Sequence, residues 1–144
     1  RCAALAGAEL IVAPYCGVAY HLSPEASNNP SEVLDGSQKT TVDSGIGRSV
    51  WKSLMITRAT ENGVYIAACN HGGKEYDSMM AGGSIVVEPT GKVLAMAQEN
   101  EEIIYSDLDW ETFRMNRING SPQFRDRRPD LYTQITAEMD EFPL

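Results

Sequence analysis

Metal-ligand spacings are missing from this sequence: its 144 residues hold two histidines, His21 and His71, and neither a Cys-x-x-Cys nor a His-Glu-x-x-His arrangement. A protein zinc site takes three or four ligands, so no metal centre is expected. The three cysteines, Cys2, Cys16 and Cys69, form an odd set, which suits reduced thiols rather than a disulfide framework. No apolar stretch reaches the roughly 18 residues of a membrane helix, and no signal-peptide pattern is visible. A cytoplasmic protein without membrane contact is expected.

Positive charge is also scarce. Twelve Lys and Arg stand against twenty Asp and Glu, a net charge of -8, which opposes nucleic-acid and anionic-membrane binding because phosphate contacts need clustered cations. The one basic cluster, Arg125, Arg127 and Arg128, alternates with Asp126 and Asp130 and reads as a local ion-pair network. "GIG" at 45–47 and "GGS" at 82–84 lack both the dinucleotide fingerprint and the phosphate-loop lysine. No cofactor is expected.

What is present is an ordinary globular composition, 42% hydrophobic and 22% charged, at a length that suits one domain. "RCAALAG" favours helix with Gly7 as its stop. "ELIVAP" at 9–14 is a continuous apolar run that suits a strand buried on both faces. Residues 17–48 have turn chemistry and no sustained period, long for a structureless connection.

From Ser49, a plausible N-cap, the apolar residues Val50, Trp51, Leu54, Met55 and Ala59 recur at helical spacing until Asn62-Gly63. "VYIAAC" at 64–69 then gives a second buried strand. "GSIVVEP", "TGKVLAMA" and "EEIIYSDLD" predict a three-stranded antiparallel meander, its first turn at Pro89-Thr90-Gly91. Asp109 caps a last helix, "WETFRMNRI". Residues 119–144 read as an extended tail. The element string gives an α/β (α+β) chain with a mixed sheet and helices outside it.

Cys16 follows the first buried strand and His71 the second, at the strand ends where α/β sheets place reactive groups. If those strands are neighbours, thiol and imidazole can meet; otherwise Cys16 packs and His71 is a solvated loop residue. Tyr15, Cys16, Asn70 and His71 are candidates for lining a pocket. Asn70 offers an amide that donates and accepts, and Gly72-Gly73 admit close backbone approach. Glu61, Glu75, Asp77, Glu101 and Glu102 read as solvated carboxylates, and Trp51 and Trp110 as core anchors.

Five blocks in order resemble the carbon-nitrogen hydrolase (nitrilase) superfamily: R-x-x-A-L-A-G-A-E-L-I-V-A-P; W-x6-R-A-x-E-N-G-V-Y-I-A-A-x-N-x-x-G; G-x-S-I-V-x-x-P-x-G-x-V-L-A; E-E-I-I-x-x-D-L-D; and D-R-R-P-D-L-Y. The resemblance implies half of an α-β-β-α four-layer sandwich whose sheets pair between subunits, hence a homo-oligomeric parent. It implies a hydrolase of non-peptide carbon-nitrogen bonds in amide, nitrile or N-carbamoyl substrates. Its catalytic set, a Glu base, an oxyanion-stabilising Lys and a Cys nucleophile, has no counterpart here and is expected upstream of Arg1. Residues 1–144 would then be the C-terminal half of the domain, inactive alone, with the N-terminal half missing.

The atypical 17–48 segment is expected to control substrate access. The motif around Arg127, Arg128, Pro129, Leu131 and Tyr132 resembles a family stretch that reaches over a subunit interface. Two other readings stay open: a non-catalytic association module on the same fold, and a self-contained hydrolase using Cys16 and His71.

Overall fold

The first apolar run becomes a strand because Gly7, at φ +99°, stops the short helix α1 (Cys2–Leu5) and lets the chain reverse into β1 (Leu10–Tyr15). The structure is a computed structural model that describes residues 1–21, 48–76, 78–120 and 122–137. The expected access segment therefore falls outside the described residues from 22 to 47. Its first part forms β2 (Val18–His21).

Helix α2 (Arg48–Asn62) ends at Gly63, whose φ of +53° closes the helix as the Asn-Gly pair predicts. It begins one residue before Ser49, so Ser49 sits inside the first turn; its carbonyl accepts from the Ser53 hydroxyl at 2.9 Å. The chain then enters β3 (Tyr65–Asn70), β4 (Gly72–Glu75), β5 (Ser78–Ala81), β6 (Ile85–Val87) and β7 (Val93–Met96).

Two sheets result. One is mixed, in the order β1-β3-β6-β7, with β1 and β3 parallel and the other pairs antiparallel. The second is antiparallel, β2-β5-β4. The β6–β7 hairpin closes at Pro89-Thr90-Gly91 as expected, with Gly91 at φ +91° donating to the Glu88 carbonyl.

The inner face of the mixed sheet carries Ile66, Ala68, Ile85 and Val87, packed under Trp51 and Ala59 of α2 and Ala4 of α1. The parallel register sets Ile11 beside Ile66 and Ala13 beside Ala68, so β1 contributes to this core through alternate residues only. That corrects the expectation of a strand buried on both faces: Val12, on the other face, is 67% exposed. β1 is an edge strand with only β3 beside it.

The third meander strand does not form. Residues 102–109 make no ladder among the described residues, and Ile103 and Tyr105 face solvent. Past the end of β7 the Gln98 amide donates to the Glu102 carboxylate, and the Gln98 carbonyl accepts from the Gly83 amide on the β6 side.

Asp109 caps α3 (Trp110–Met115) as expected, accepting from the Glu111 amide at 3.0 Å. The Thr112 hydroxyl, which donates to the same carboxylate, and that amide hold the Asp109 carboxyl below the usual carboxylate range. The expected helix over 110–118 continues past α3 as a π-helical turn (Asn116–Gly120), and the tail expected to be extended from 119 instead holds α4 (Pro122–Arg125), a 3-10 turn (Pro129–Leu131) and α5 (Thr133–Thr136) among its described residues. Arg117 anchors this region. Its guanidinium donates to the carbonyls of Gly63 and Ala8, both at 3.1 Å, and lies over the Phe113 and Phe124 rings.

On the outer face of the mixed sheet, Tyr65 is fully buried against Trp110, and its hydroxyl donates to the Asp109 carbonyl at 2.7 Å. Burial, helped by the Glu88 and Asp109 charges, raises its phenol pKa above the ordinary 10.0. Below about pH 10 folded and unfolded chains both keep the proton; above it the unfolded chain ionises first, so stability falls as pH rises. Tyr65→Phe is expected to lose about 1 kcal/mol at neutral pH, since it leaves a carbonyl without its donor. The deficit should shrink between about pH 9 and pH 11, as read from urea midpoints; a constant deficit would remove the ionisation argument.

Candidate functional site

The parallel pairing of β1 with β3 brings two sequence-distant strand ends together. Tyr15 stands opposite Asn70 in the register, so the next residues, Cys16 and His71, leave the sheet side by side. The Cys16 Sγ lies 3.8 Å from His71 Nδ1. His71 Nδ1 also lies 3.2 Å from a carboxylate oxygen of Glu75, at the end of β4. All three side chains are exposed.

Asn70 explains why these ends are fixed. It is 8% exposed, its Oδ1 accepts from the Gly17 amide at 2.9 Å, and its Nδ2 donates to the Gly82 carbonyl at 2.7 Å. The Ser84 hydroxyl completes the arrangement, accepting from the Asn70 amide at 3.0 Å and donating to the Asn70 carbonyl at 3.2 Å. The side chain expected to face a ligand is thus engaged with backbone on both sides. It ties the mixed sheet to the second sheet.

A cavity of about 290 Å³ opens beside these ends, with Asn70, His71, Gly82, Ser84, Gln98 and Glu102 in its wall. Gly82 has φ +59°, and a Cβ there would stand 2.7 Å from the Gln98 carbonyl; only glycine allows that approach. Of the four pocket residues expected from the sequence, Asn70 and His71 line this cavity. Tyr15 instead stacks on Trp51, with ring centroids 4.7 Å apart, and Cys16 sits at the rim with His71. The Trp51 indole donates to the Gly83 carbonyl at 2.8 Å, so the tryptophan also holds the glycine pair of the cavity wall.

Glu75 is exposed, as expected of a solvated carboxylate, but it ends strand β4 beside His71 instead of lying in a loop. Had residues 71–75 been read as a strand, the period of two would have set His71 and Glu75 on one side. The reading also found no metal-ligand group by local spacing. Folding nonetheless gathers the ligand atoms of Cys16, His71 and Glu75 within 4.8 Å of one another.

The C-terminal motif lies apart from these residues. Arg128 makes a two-point pair with Asp130, at 3.0 and 2.6 Å, across the 3-10 turn that Pro129 opens. That hydrogen bonding holds the Asp130 carboxyl below the usual range. Leu131 and Tyr132 are 65% and 47% exposed.

The chain is similar to known proteins. The carbon-nitrogen hydrolase family profile matches residues 1–117. Over 82 residues the chain is 42% identical to the 2-oxoglutaramate amidase of Bacillus subtilis, covering 57% of this chain and 31% of that protein. Over 87 residues it is 40% identical to a human omega-amidase, covering 60% and 31%. Among solved structures, a carbon-nitrogen hydrolase from Helicobacter pylori superposes with a TM-score of 0.65 at 26% identity, over 94% of this chain and 43% of that one. An amidase from a Nesterenkonia species, with the acetamide moiety of fluoroacetamide on its active-site cysteine, gives 0.56 at 26% identity, over 92% and 36%. The chain spans about a third of the length of the curated relatives it matches. No helix among the described residues is long and apolar enough to cross a membrane. By its sequence blocks, its mixed sheet and the profile over most of its length, the chain belongs to the carbon-nitrogen hydrolase family.

Proposed function

We propose that this chain is the C-terminal half of an amide hydrolase and supplies one wall of its substrate pocket, with the catalytic Glu, Lys and Cys contributed by sequence before Arg1. The observation that carries this reading is the 40–42% identity to proteins named amidases, over a segment that makes up only about a third of each. In the complete protein a thiolate attacks the carbonyl carbon of a small amide. The Lys and a backbone N–H hold the tetrahedral oxyanion, ammonia leaves, and the Glu activates water against the thioester. Nitriles and N-carbamoyl compounds fit the same chemistry. Residues 17–48 shape access to that pocket.

The open outer face of β1, with Leu10 and Val12 exposed, supports sheet-to-sheet pairing between subunits in a four-layer sandwich, since an uncovered apolar sheet face favours association. The tail around Arg127, Arg128, Pro129, Leu131 and Tyr132 reaches over that interface.

The rival reading is a self-contained hydrolase using Cys16 and His71, and the 3.8 Å contact favours it. A thiol–imidazole–carboxylate relay, however, engages both ring nitrogens, the thiol on one and the carboxylate on the other. Here the thiol and Glu75 both face Nδ1.

Ammonia release from a panel of small amides separates the two. The chain alone is expected to release none; joined to its upstream coding sequence it should, and an upstream Cys→Ala change should abolish the release. Turnover by the chain alone, lost in Cys16→Ala, would establish the rival.

A further inference from the structure

The Cys16, His71 and Glu75 cluster presents one sulfur, one nitrogen and one oxygen donor to a common point. Zinc bonds of about 2.3 Å to sulfur and about 2.0–2.1 Å to nitrogen or oxygen set tetrahedral edges of roughly 3.3–3.6 Å between ligand atoms. Two of the three separations, 3.8 Å from Sγ to Nδ1 and 3.2 Å from Nδ1 to the Glu75 oxygen, bracket those edges, and the third, from Sγ to the Glu75 oxygen, lies within 4.8 Å, so the exposed Glu75 side chain turns toward the sulfur when the ion binds. Convergence on Nδ1, the feature that argues against a proton relay, is what three ligands around one cation produce.

We propose that Cys16, His71 and Glu75 form a zinc-binding site at the rim of the cavity. The Cys16 thiol gives up its proton to solvent as the sulfur–zinc bond forms, His71 binds through neutral Nδ1, and Glu75 binds through one carboxylate oxygen. The two anionic donors neutralise the divalent charge, and mixed sulfur, nitrogen and oxygen donors suit zinc over magnesium or calcium. The fourth tetrahedral position faces solvent. The chain's net charge of -8 favours a cation's approach.

The site is preorganised by groups outside it. Asn70 binds the Gly17 amide directly after Cys16 and itself directly precedes His71, so the two ligand-bearing positions are held by one buried side chain. Glu75 is carried on β4, which pairs with β5 through Ser78 and Ala81. A bound ion would draw the His71 ring toward the rim and so alter the cavity wall that His71 lines.

The test is an anaerobic titration of the reduced protein, the chain joined to its upstream coding sequence with the upstream nucleophile changed from Cys to Ala, with cobalt(II), followed by displacement with zinc(II). One equivalent should produce a thiolate-to-cobalt charge-transfer band with tetrahedral visible absorption. Cys16→Ser should abolish the charge-transfer band, and His71→Ala and Glu75→Gln should each weaken zinc binding at least about tenfold in competition with a chelator. Cys2→Ser and Cys69→Ser, whose thiols are also exposed, should leave both signals unchanged. Because none of the three ligands belongs to the buried core, circular dichroism should match the parent chain. No charge-transfer band in the parent, a band that survives Cys16→Ser, or affinity unmoved by both His71→Ala and Glu75→Gln would overturn the site. None of these outcomes depends on amide hydrolysis.

Discussion

Trp51→Ala is expected to destabilise the chain by about 3–5 kcal/mol, the range for removing a large buried aromatic residue. Trp51 is 3% exposed and does three things at once. Its ring fills the space between α2 and the inner face of the mixed sheet, stacks on Tyr15 at the end of β1, and donates its indole N–H to Gly83. Truncation opens a cavity, strips Tyr15 of its stacking partner and leaves a buried carbonyl without a donor. Trp51→Phe keeps most of the apolar volume and the ring stack but not the hydrogen bond, so its cost should fall to about 1–3 kcal/mol. Urea unfolding followed by far-ultraviolet circular dichroism measures both. An alanine cost below about 1.5 kcal/mol would mean that the site closes over the deletion. A phenylalanine cost near zero would mean that water satisfies the Gly83 carbonyl as well as the indole does.

The same tryptophan shows which parts of the fold were legible in the sequence. Apolar spacing in Val50, Trp51, Leu54, Met55 and Ala59 and the Asn62-Gly63 stop define α2, because helix periodicity and a positive-φ terminator are local properties. The runs at 9–14 and 64–69 define β1 and β3 for a similar reason. The antiparallel sheet β2-β5-β4 was not legible. Gly72, Gly73, Lys74 and Glu75 show no apolar alternation, and the ladder with Ser78 to Ala81 rests on backbone hydrogen bonds that any sequence can make.

The exposed side of Val12 was not legible either. A continuous apolar run reports that a strand is suited to burial, not which other part of a protein buries it. At the site, the meeting of Cys16 with His71 followed from the parallel pairing of their strands, which the sequence offered as a condition. The place of Glu75 depended on reading β4. The roles of Trp51 and Asn70 as donors to Gly83 and Gly82 are contacts across 32 and 12 residues of sequence, beyond the reach of any local pattern.

Asn70→Ala should cost about 2–4 kcal/mol, although the side chain is small and contributes little apolar surface. The change leaves the Gly17 amide and the Gly82 carbonyl without their partner in a buried setting, each worth about 1–3 kcal/mol when left unmade. If Asn70 were only a wall that touches substrate, the alanine variant would keep its stability and change only its ligand affinity. The clamp predicts a further, local signature: hydrogen exchange at the Gly17 amide should accelerate in Asn70→Ala more than at the β6–β7 hairpin, whose ladder the change does not touch. Asn70→Asp sharpens the point. Its carboxylate can still accept from Gly17, but it turns an acceptor toward the Gly82 carbonyl where the amide donated, so the Gly17 amide should stay protected while the second sheet loosens. An alanine variant within about 0.5 kcal/mol of the parent, or one whose Gly17 amide exchanges at the parent's rate, would return Asn70 to the role of a plain pocket wall. A loss of both stability and Gly17 protection would instead make the strand ends dependent on this residue. The separation of Cys16 and His71, and with it every chemistry available at the rim of the cavity, then follows from a single buried amide.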